Sequence, residues 1–328
     1  MMIAEQHIVV LDEGTIDLPA QAWDELRSLG ELTLHRETPA NDDELIAERI
    51  RSATVVLSNK VPLRAAAIQA APQLRLISVL ATGYNVIDLQ AAGSAGVAVC
   101  NVPNYSTSSV AQHTLALILE CCNTVGRHSR AVQDGKWVHA PFFYFSEAPL
   151  VELRGRTVGL IGFGTIAEAV GRLCSAFGAH ILAYRRNPGA APDYGPFAWA
   201  DSIDQIIEEA DVVSLHCPLT QETEKMIDAT RLAQMKRSAF LINTARGPLI
   251  DEAALVEALR DGDIAAAALD VVGVEPMEPD SPLLCGLPNL YMTPHNGWAS
   301  TESRERLLAI SAENIRRFIE GDPIHVVG

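Results

Sequence analysis

Basic residues are scarce in this 328-residue chain, where 25 Lys and Arg stand against 41 Asp and Glu for a formal net charge of −16. That sign excludes a general binder of nucleic acid or anionic membranes, so an anionic ligand has to be held by a local cluster of donors. No uncharged apolar run approaches the length of about 18 residues that a membrane-spanning helix needs. The first residues, MMIAEQHIVVLDEG, carry no basic segment ahead of their short apolar stretch, so no export signal and a cytoplasmic location are expected. The six cysteines, Cys100, Cys121, Cys122, Cys174, Cys217 and Cys285, contain no CxxC pair and are expected to be reduced thiols. The nine histidines contain no HxxxH pair or other ligand spacing, so no metal is expected. With 48% apolar and 20% charged residues, the composition excludes disorder and collagen-like repeats, and the length suits two domains.

What the chain does have is rhythm. Apolar runs of strand length at His7–Leu11, Leu32–Leu34, Thr54–Ser58, Leu74–Leu80 and Val97–Val102 are separated mostly by helical patterns, which predicts βαβ units and a parallel sheet. The segment from Asn101 to Thr107 punctuates the series, and an apolar helical pattern follows over Val110–Thr124. A second series occupies Thr157–Ile161, Ile181–Tyr184, Val212–His216, Phe240–Asn243, Ala265–Asp270 and Tyr291–Thr293, enough for a complete nucleotide-binding fold. The tail Thr301–Glu320 reads as one helix ending at Gly321-Asp-Pro, and it is expected to return to the first sheet. The expected fold class is therefore α/β, with two Rossmann-like, doubly wound parallel-sheet domains. One is a discontinuous, flavodoxin-like substrate domain over 1–101 and 296–328, and the other a dinucleotide-binding domain over 102–295.

The run TVGLI leads into Gly162-Phe163-Gly164-Thr165-Ile166-Ala167 and then a helical pattern, the strand, turn and helix order of a dinucleotide fingerprint. Gly162 permits the tight turn, Gly164 lets the backbone approach a pyrophosphate, and Ala167 is small enough for close helix packing. The helix N-terminus adds N–H donors and positive potential. About 20 residues on, where an NAD site usually has Asp or Glu, the chain reads Ala183-Tyr184-Arg185-Arg186. Guanidiniums pair with a 2′-phosphate and a carboxylate repels it, so Arg185 and Arg186 point to NADP(H) ahead of NAD(H), unless they are two solvated residues at a strand end.

Arg246, Glu275 and His295 each follow an expected strand of the second series, on the side where open α/β sheets bind ligands. Singly they read as a surface arginine, a solvated glutamate and a histidine satisfied by backbone. As a set beside a cofactor fold they supply a cation for a carboxylate and carbonyl oxygen, a proton donor, and a carboxylate to hold that donor. A carboxylate beside an imidazole favours the imidazolium, which makes a proton available for ketone reduction near neutral pH. Arg246 would stabilise negative charge developing on the carbonyl oxygen.

The segments LATGYNVIDL, NVPNYSTSSVAQHTLALIL, GLIGFGTIAEAV, LHCPLTQET, NTARGPLIDE, ALDVVGVEP and TPHNGWAS resemble those of the D-isomer-specific 2-hydroxyacid dehydrogenases. Within that family the likeness is to the branch of glycerate dehydrogenases, hydroxypyruvate reductases and glyoxylate reductases. The resemblance implies a cleft between the two domains, a homodimer, and a small 2-oxo or 2-hydroxy acid as substrate, with no nucleic acid or membrane partner. It implies His295 as general acid/base, Glu275 as its carboxylate partner and Arg246 as substrate anchor. It further implies that Ala81, Thr82 and Gly83 offer backbone donors to the substrate carboxylate, that Asn59 and Val61 line the pocket, and that Trp298 closes it or anchors one domain to the other. By the same resemblance Cys217, Pro218, Thr244 and Asp270 line the nicotinamide and its ribose, with Asp270 accepting from the carboxamide. The apolar pattern at Val110–Thr124 is expected to contribute to the dimer. Three positions depart from the family pattern: Ala167 replaces the third glycine, Thr165 stands where relatives often carry Arg, and Asn296 follows His295 where an aliphatic residue is frequent. The resemblance also reaches corepressors of the C-terminal-binding-protein type, which sense a nucleotide, and phosphite dehydrogenase.

Overall fold

Parallel strands covered on both faces are continuous apolar runs, and in the computed structural model the runs of both series become parallel strands, the central ones buried throughout. Residues 6–327 are described; Met1–Glu5, the start of the stretch judged for an export signal, and Gly328 lie outside them. The chain divides into two units, one comprising everything up to Ser106 and from Ala299 onward, the other Thr107–Trp298.

Unit 1 holds strands β1 (His7–Val10), β2 (Glu31–Leu34), β3 (Val55–Ser58), β4 (Leu76–Val79) and β5 (Ala98–Cys100) in the all-parallel order β2-β1-β3-β4-β5. This is the flavodoxin-like order, whose switch point lies between β1 and β3. The helix Thr301–Glu320 belongs to this unit: Asn314 donates to Asn101 O (2.9 Å) and Arg304 to Ile16 O (2.8 Å). Ser300 caps its start by accepting from Ser303 N, and Gly321, with φ +85, ends it in the left-handed conformation.

Unit 2 holds β6 (Thr157–Ile161), β7 (His180–Tyr184), β8 (Phe197–Trp199), β9 (Val212–Leu215), β10 (Phe240–Asn243), β11 (Ala266–Leu269) and β12 (Leu290–Met292). Their order is β8-β7-β6-β9-β10-β11-β12, the doubly wound order with one strand added, and the switch point is between β6 and β9. The edge strand β8 escapes the sequence reading because it is three residues long and follows a proline.

The units meet in sequence at Ser106/Thr107 and Trp298/Ala299, whereas the expected boundaries are 101/102 and 295/296. Hydrogen bonds account for both displacements. Val102 N donates to Ala81 O and Arg306 to Tyr105 O, which ties the segment after β5 to unit 1. Asn296 N and Gly297 N donate to the Asp270 carboxylate, which keeps those residues in unit 2. The expected apolar helix runs from Thr107 to Asn123, and Thr124, with φ +47, separates it from a second helix at Val125–Gln133. Its apolar residues Ala111, Leu117, Ile118, Cys121 and Cys122 share a buried core with Leu160, Val170 and Cys174 of their own unit.

Candidate active site

In unit 2 the strand pairing aligns Tyr184, Ile161, Leu215, Asn243, Leu269 and Met292 in one row across six neighbouring strands. Every chemistry-bearing loop of the unit leaves its strand just after this row: Gly162, Arg185, Cys217, Thr244, Asp270 and His295 all follow it within a few residues. Five strand spacings of about 4.8 Å make that edge about 24 Å wide.

The turn after β6 is shaped for an external ligand. Gly162 has φ +87, and a Cβ there would lie 2.7 Å from Cys217 N, so the two loops at the switch point touch through this glycine. Gly164 caps the helix Thr165–Ala176 with an extended backbone (φ −106, ψ −167) that any residue adopts, and a Cβ there would meet no protein atom within 4 Å. Neither conformation nor internal packing requires glycine at 164, so the space in front of the helix N-terminus is what the missing side chain preserves. That cradle fits the pyrophosphate of a dinucleotide. Thr165 is exposed and Ile166 half-buried on the first turn. The Phe163 ring turns away and packs edge-on against Trp199 (5.2 Å between centroids) and Phe197 (5.4 Å), leaving only its backbone for the turn.

Arg185 and Arg186 are exposed at the end of β7, with no acidic residue beside them in the chain. Arg185 donates to Asn187 O (2.6 Å) and lies over the Trp199 ring, while Arg186 is paired with Glu222, both side chains being largely exposed. Cys217 is half-buried against Met226, and burial pushes its thiol up to about 11. Pro218 is exposed and its carbonyl accepts from Thr223, and Thr244 is hydrogen-bonded through its hydroxyl to Thr114.

Asn243 is fully buried and shapes the loop carrying Arg246: its amide donates to Arg246 O (2.8 Å) and its carbonyl accepts from Ala245 N (3.0 Å). The Arg246 side chain is exposed. A Cβ on the next residue, Gly247, would sit 1.9 Å from the Val272 carbonyl, so this loop rests directly on the backbone that leads to Glu275. Glu275 accepts from Val272 N through Oε1, and its Oε2 is 2.6 Å from His295 Nδ1. The imidazole and carboxylate side chains keep 28% and 36% of their surface exposed, so the pair is ordered yet open to a ligand.

His295 is one of the few non-glycine residues with positive φ (+50), and its N–H donates to Asp270 O and Thr293 O. Asp270, expected to accept from a nicotinamide carboxamide, bonds the turn that carries His295. It is 3% exposed and accepts from Thr293 Oγ1 (2.6 Å), Asn296 N (3.0 Å) and Gly297 N (2.9 Å), with His113 Nε2 at 3.3 Å. Burial alone would raise its pKa, but the bonds from His113, Thr293 and Gly297 outweigh it and hold the carboxyl below its usual range. Trp298, half-buried, is the last residue of the unit.

The remaining expected residues lie in unit 1. Asn59 and Val61 are buried, and Asn59 spends its amide on Thr15 while its backbone N–H and that of Lys60 donate to Asp12 at the β1/β3 switch point. Burial raises the Asp12 carboxyl in spite of those bonds. After β4, Ala81 O accepts from Val102 N, Thr82 donates to Val102 O, and Asn101 donates to Thr82 O, which fixes the turn that leads into Gly83. His113 and Thr293 are absent from the expected set, and nothing local marks them, because His113 meets Thr293 across 180 residues of chain.

Comparison with known proteins bears on this arrangement. A family model described as D-isomer specific 2-hydroxyacid dehydrogenase, NAD binding domain, matches residues 115–297. The chain is 41% identical over 322 residues to a hydroxypyruvate reductase of Blautia hydrogenotrophica, covering 98% of this chain and 99% of that one. The crystal structure of an NADPH-dependent glyoxylate/hydroxypyruvate reductase from Sinorhizobium meliloti, in complex with NADP and malonate, matches with a TM-score of 0.84 at 28% identity, covering 99% of this chain and 97% of that one. A D-lactate dehydrogenase with NAD+ from Lactobacillus jensenii matches with a TM-score of 0.78 at 29% identity, covering 98% and 99%.

Proposed function

We propose that this chain, which belongs to the D-isomer-specific 2-hydroxyacid dehydrogenase family, reduces a small 2-oxo acid, glyoxylate or hydroxypyruvate, to the D-2-hydroxy acid. The observation that carries this reading is the His295–Glu275 pair beside the Arg246 loop, on the same sheet edge as the Gly162–Gly164 turn. A reduced nicotinamide, when bound, supplies the hydride. The residues of the chain do the rest. The helix N-terminus behind Gly164 holds the phosphates, and Arg246 binds the substrate carboxylate and stabilises charge on the carbonyl oxygen. With Nδ1–H donating to Glu275, the proton that moves is the one on His295 Nε2, and it goes to the carbonyl oxygen as the carbonyl carbon gains the hydride.

NADP(H) is the preferred cofactor and NAD(H) is accepted. Arg185 and Arg186 support this, and the exposed Glu222 carboxylate is a weak competitor for Arg186, because an exposed ion pair contributes only about 0–1 kcal/mol. The enzyme acts as a homodimer, for which the support is a cluster of exposed apolar side chains: Trp137, Val138, Phe142, Phe143 and Tyr144 are 53–87% exposed after the helix Val125–Gln133. No helix among the described residues is long and apolar enough to cross a membrane, and the six cysteines, all free, support a reducing, cytoplasmic compartment.

Initial rates of glyoxylate and hydroxypyruvate reduction with NADPH and NADH test the reading. Turnover favouring NADPH is expected. Turnover favouring NADH refutes the role of the two arginines, and no turnover of either acid refutes the reaction.

A further inference from the structure

The helix Thr107–Asn123 turns three polar side chains toward the loops that carry the reacting groups. Ser109 and His113, four residues apart, share a face, and Thr114 is next to them. Ser109 Oγ donates to Gly297 O (2.7 Å), Thr114 Oγ1 is 2.9 Å from Thr244 Oγ1, and His113 Nε2 is 2.9 Å from Thr293 Oγ1 and 3.3 Å from Asp270 Oδ1. The Thr293 hydroxyl has one proton and spends it on Asp270 Oδ1 (2.6 Å), so toward His113 it acts as acceptor, which makes His113 Nε2–H the donor.

We propose that His113 is a positioning residue for the reaction, holding the turn Thr293–Gly297 through Thr293 and Asp270 so that His295 stays aimed at its partner. The need for such a clamp is visible in the backbone. His295 sits at φ +50, in the left-handed region that is unfavourable for a non-glycine residue, and such a conformation persists only where the surroundings over-determine it. The clamp grips both flanks. Thr293, two residues before His295, bonds Asp270 and His113, and Gly297, two residues after it, donates to Asp270 Oδ2. A Cβ on Gly297 would lie 3.1 Å from His113 Cδ2 and 2.9 Å from Asp270 Oδ2, so the turn packs against the imidazole as well as bonding to it. With the clamp released, His295 is free to relax to negative φ and carry its ring away from Glu275. The ionisable groups that face the turn through bonds are Asp270 beneath it, Glu275 on the His295 ring and His113 on the helix.

The proposal rests on His295 being the proton donor, and the experiment separates the two. His113→Phe removes the donor while filling the ring's space, and His113→Gln returns an N–H at similar reach. The measurements are kcat, KM for the 2-oxo acid, the NADPH dissociation constant, the melting temperature, and the proton–nitrogen NMR signal of His295 Nδ1–H, assigned with His295→Gln. For His113→Phe, kcat is expected to fall about 10- to 100-fold, the scale of misplacing a reacting group by about 1 Å, with KM and NADPH affinity changed less than about threefold. The His295 Nδ1–H signal is expected to move or vanish, and His113→Gln to restore both it and kcat. A His113→Phe protein that keeps kcat and the signal overturns the proposal. If His113→Phe does not fold, a folded His113→Gln lacking the signal and the rate overturns it as well. Full activity in His295→Gln refutes the proton-donor reading instead, and the NMR signal then still decides whether His113 holds the turn.

Discussion

Gly162 and Gly164 belong to one turn, yet a methyl group added to each is expected to do different damage, and the contrast tests whether the turn holds a dinucleotide. At Gly162 the backbone has φ +87 and a Cβ would stand 2.7 Å from Cys217 N and 2.8 Å from its Cα. The left-handed conformation costs alanine about 1–2 kcal/mol, and overlap with backbone that cannot swing aside adds about 1–3 kcal/mol, so Gly162→Ala should lose about 2–5 kcal/mol of stability. At Gly164 the backbone is extended and a Cβ would meet nothing within 4 Å, so Gly164→Ala should cost less than about 1 kcal/mol, the scale of an uncapped helix start. Its methyl group would instead stand between the first N–H groups of the helix and the phosphates. Losing one charge-assisted hydrogen bond there is worth about 1.5–3 kcal/mol, or about 10- to 150-fold in the dissociation constant. Thermal melts and fluorescence titrations with NADPH and NADH read the two quantities separately. A Gly164→Ala protein that binds both cofactors as tightly as its parent would refute the assignment of this turn, and one that melts as early as Gly162→Ala would refute the packing argument.

Glu222→Gln removes the carboxylate that pairs with Arg186, and it should tighten NADPH binding about two- to fivefold while leaving NADH unchanged, measured by the same titrations; equal effects on the two cofactors would detach Arg186 from the 2′-phosphate. Gly247→Ala forces its Cβ into the Val272 carbonyl, so it should lose more than about 3 kcal/mol of stability in denaturant titrations, and a loss below about 1 kcal/mol would show that the Arg246 and Glu275 loops are not interlocked. Burial pushes His216 down to about 4 from its usual 6.5, so the unfolded chain takes up the proton first, and the stability this residue contributes is complete above about pH 6.5 and lost as pH falls toward 4. Between about pH 7 and about pH 4.5 the parent should therefore lose about 1–3 kcal/mol more than His216→Asn, and equal losses would show that this imidazole is not held neutral by the fold.

The positions of the proposed site residues were readable from the sequence because the same physics marks strands and the loops at their carboxyl ends. A parallel strand buried on both faces is a continuous apolar run, and the first polar residues after such a run stand at its carboxyl end, where loops are free to carry function. Thr157–Ile161 and Phe240–Asn243 begin and end where the apolar runs do, and Gly162 and Arg246 follow from them directly. The short edge strand Phe197–Trp199 has no such run, and the break at Thr124 has neither glycine nor proline to announce it. Arg186 was readable as a cation at a strand end, but its pairing with Glu222, 36 residues away, depends on how the loop after β9 folds back.

The two carboxylates near His295 show where reading by position alone misleads. Asp270 and Glu275 both follow β11, and nothing in the residues between them says which one faces a ligand and which one faces the protein. Exposure separates them: the Asp270 side chain keeps 4% of its surface and that of Glu275 36%. A carboxylate sealed among donors from Thr293, Asn296 and Gly297 has its lone pairs committed before any substrate arrives, so it serves as a fixed point for the turn. Glu275 accepts from Val272 N and pairs with the His295 ring, and the exposure of both side chains leaves the pair open to water or substrate. A proton donor needs an open side toward its substrate, and a support needs bonds that are already made. On the proposed reading the two tasks fall to two imidazole–carboxylate pairs: the His295–Glu275 pair, whose carboxylate is open, moves the proton, and the His113–Asp270 pair, whose carboxylate is buried, holds the geometry in which it moves.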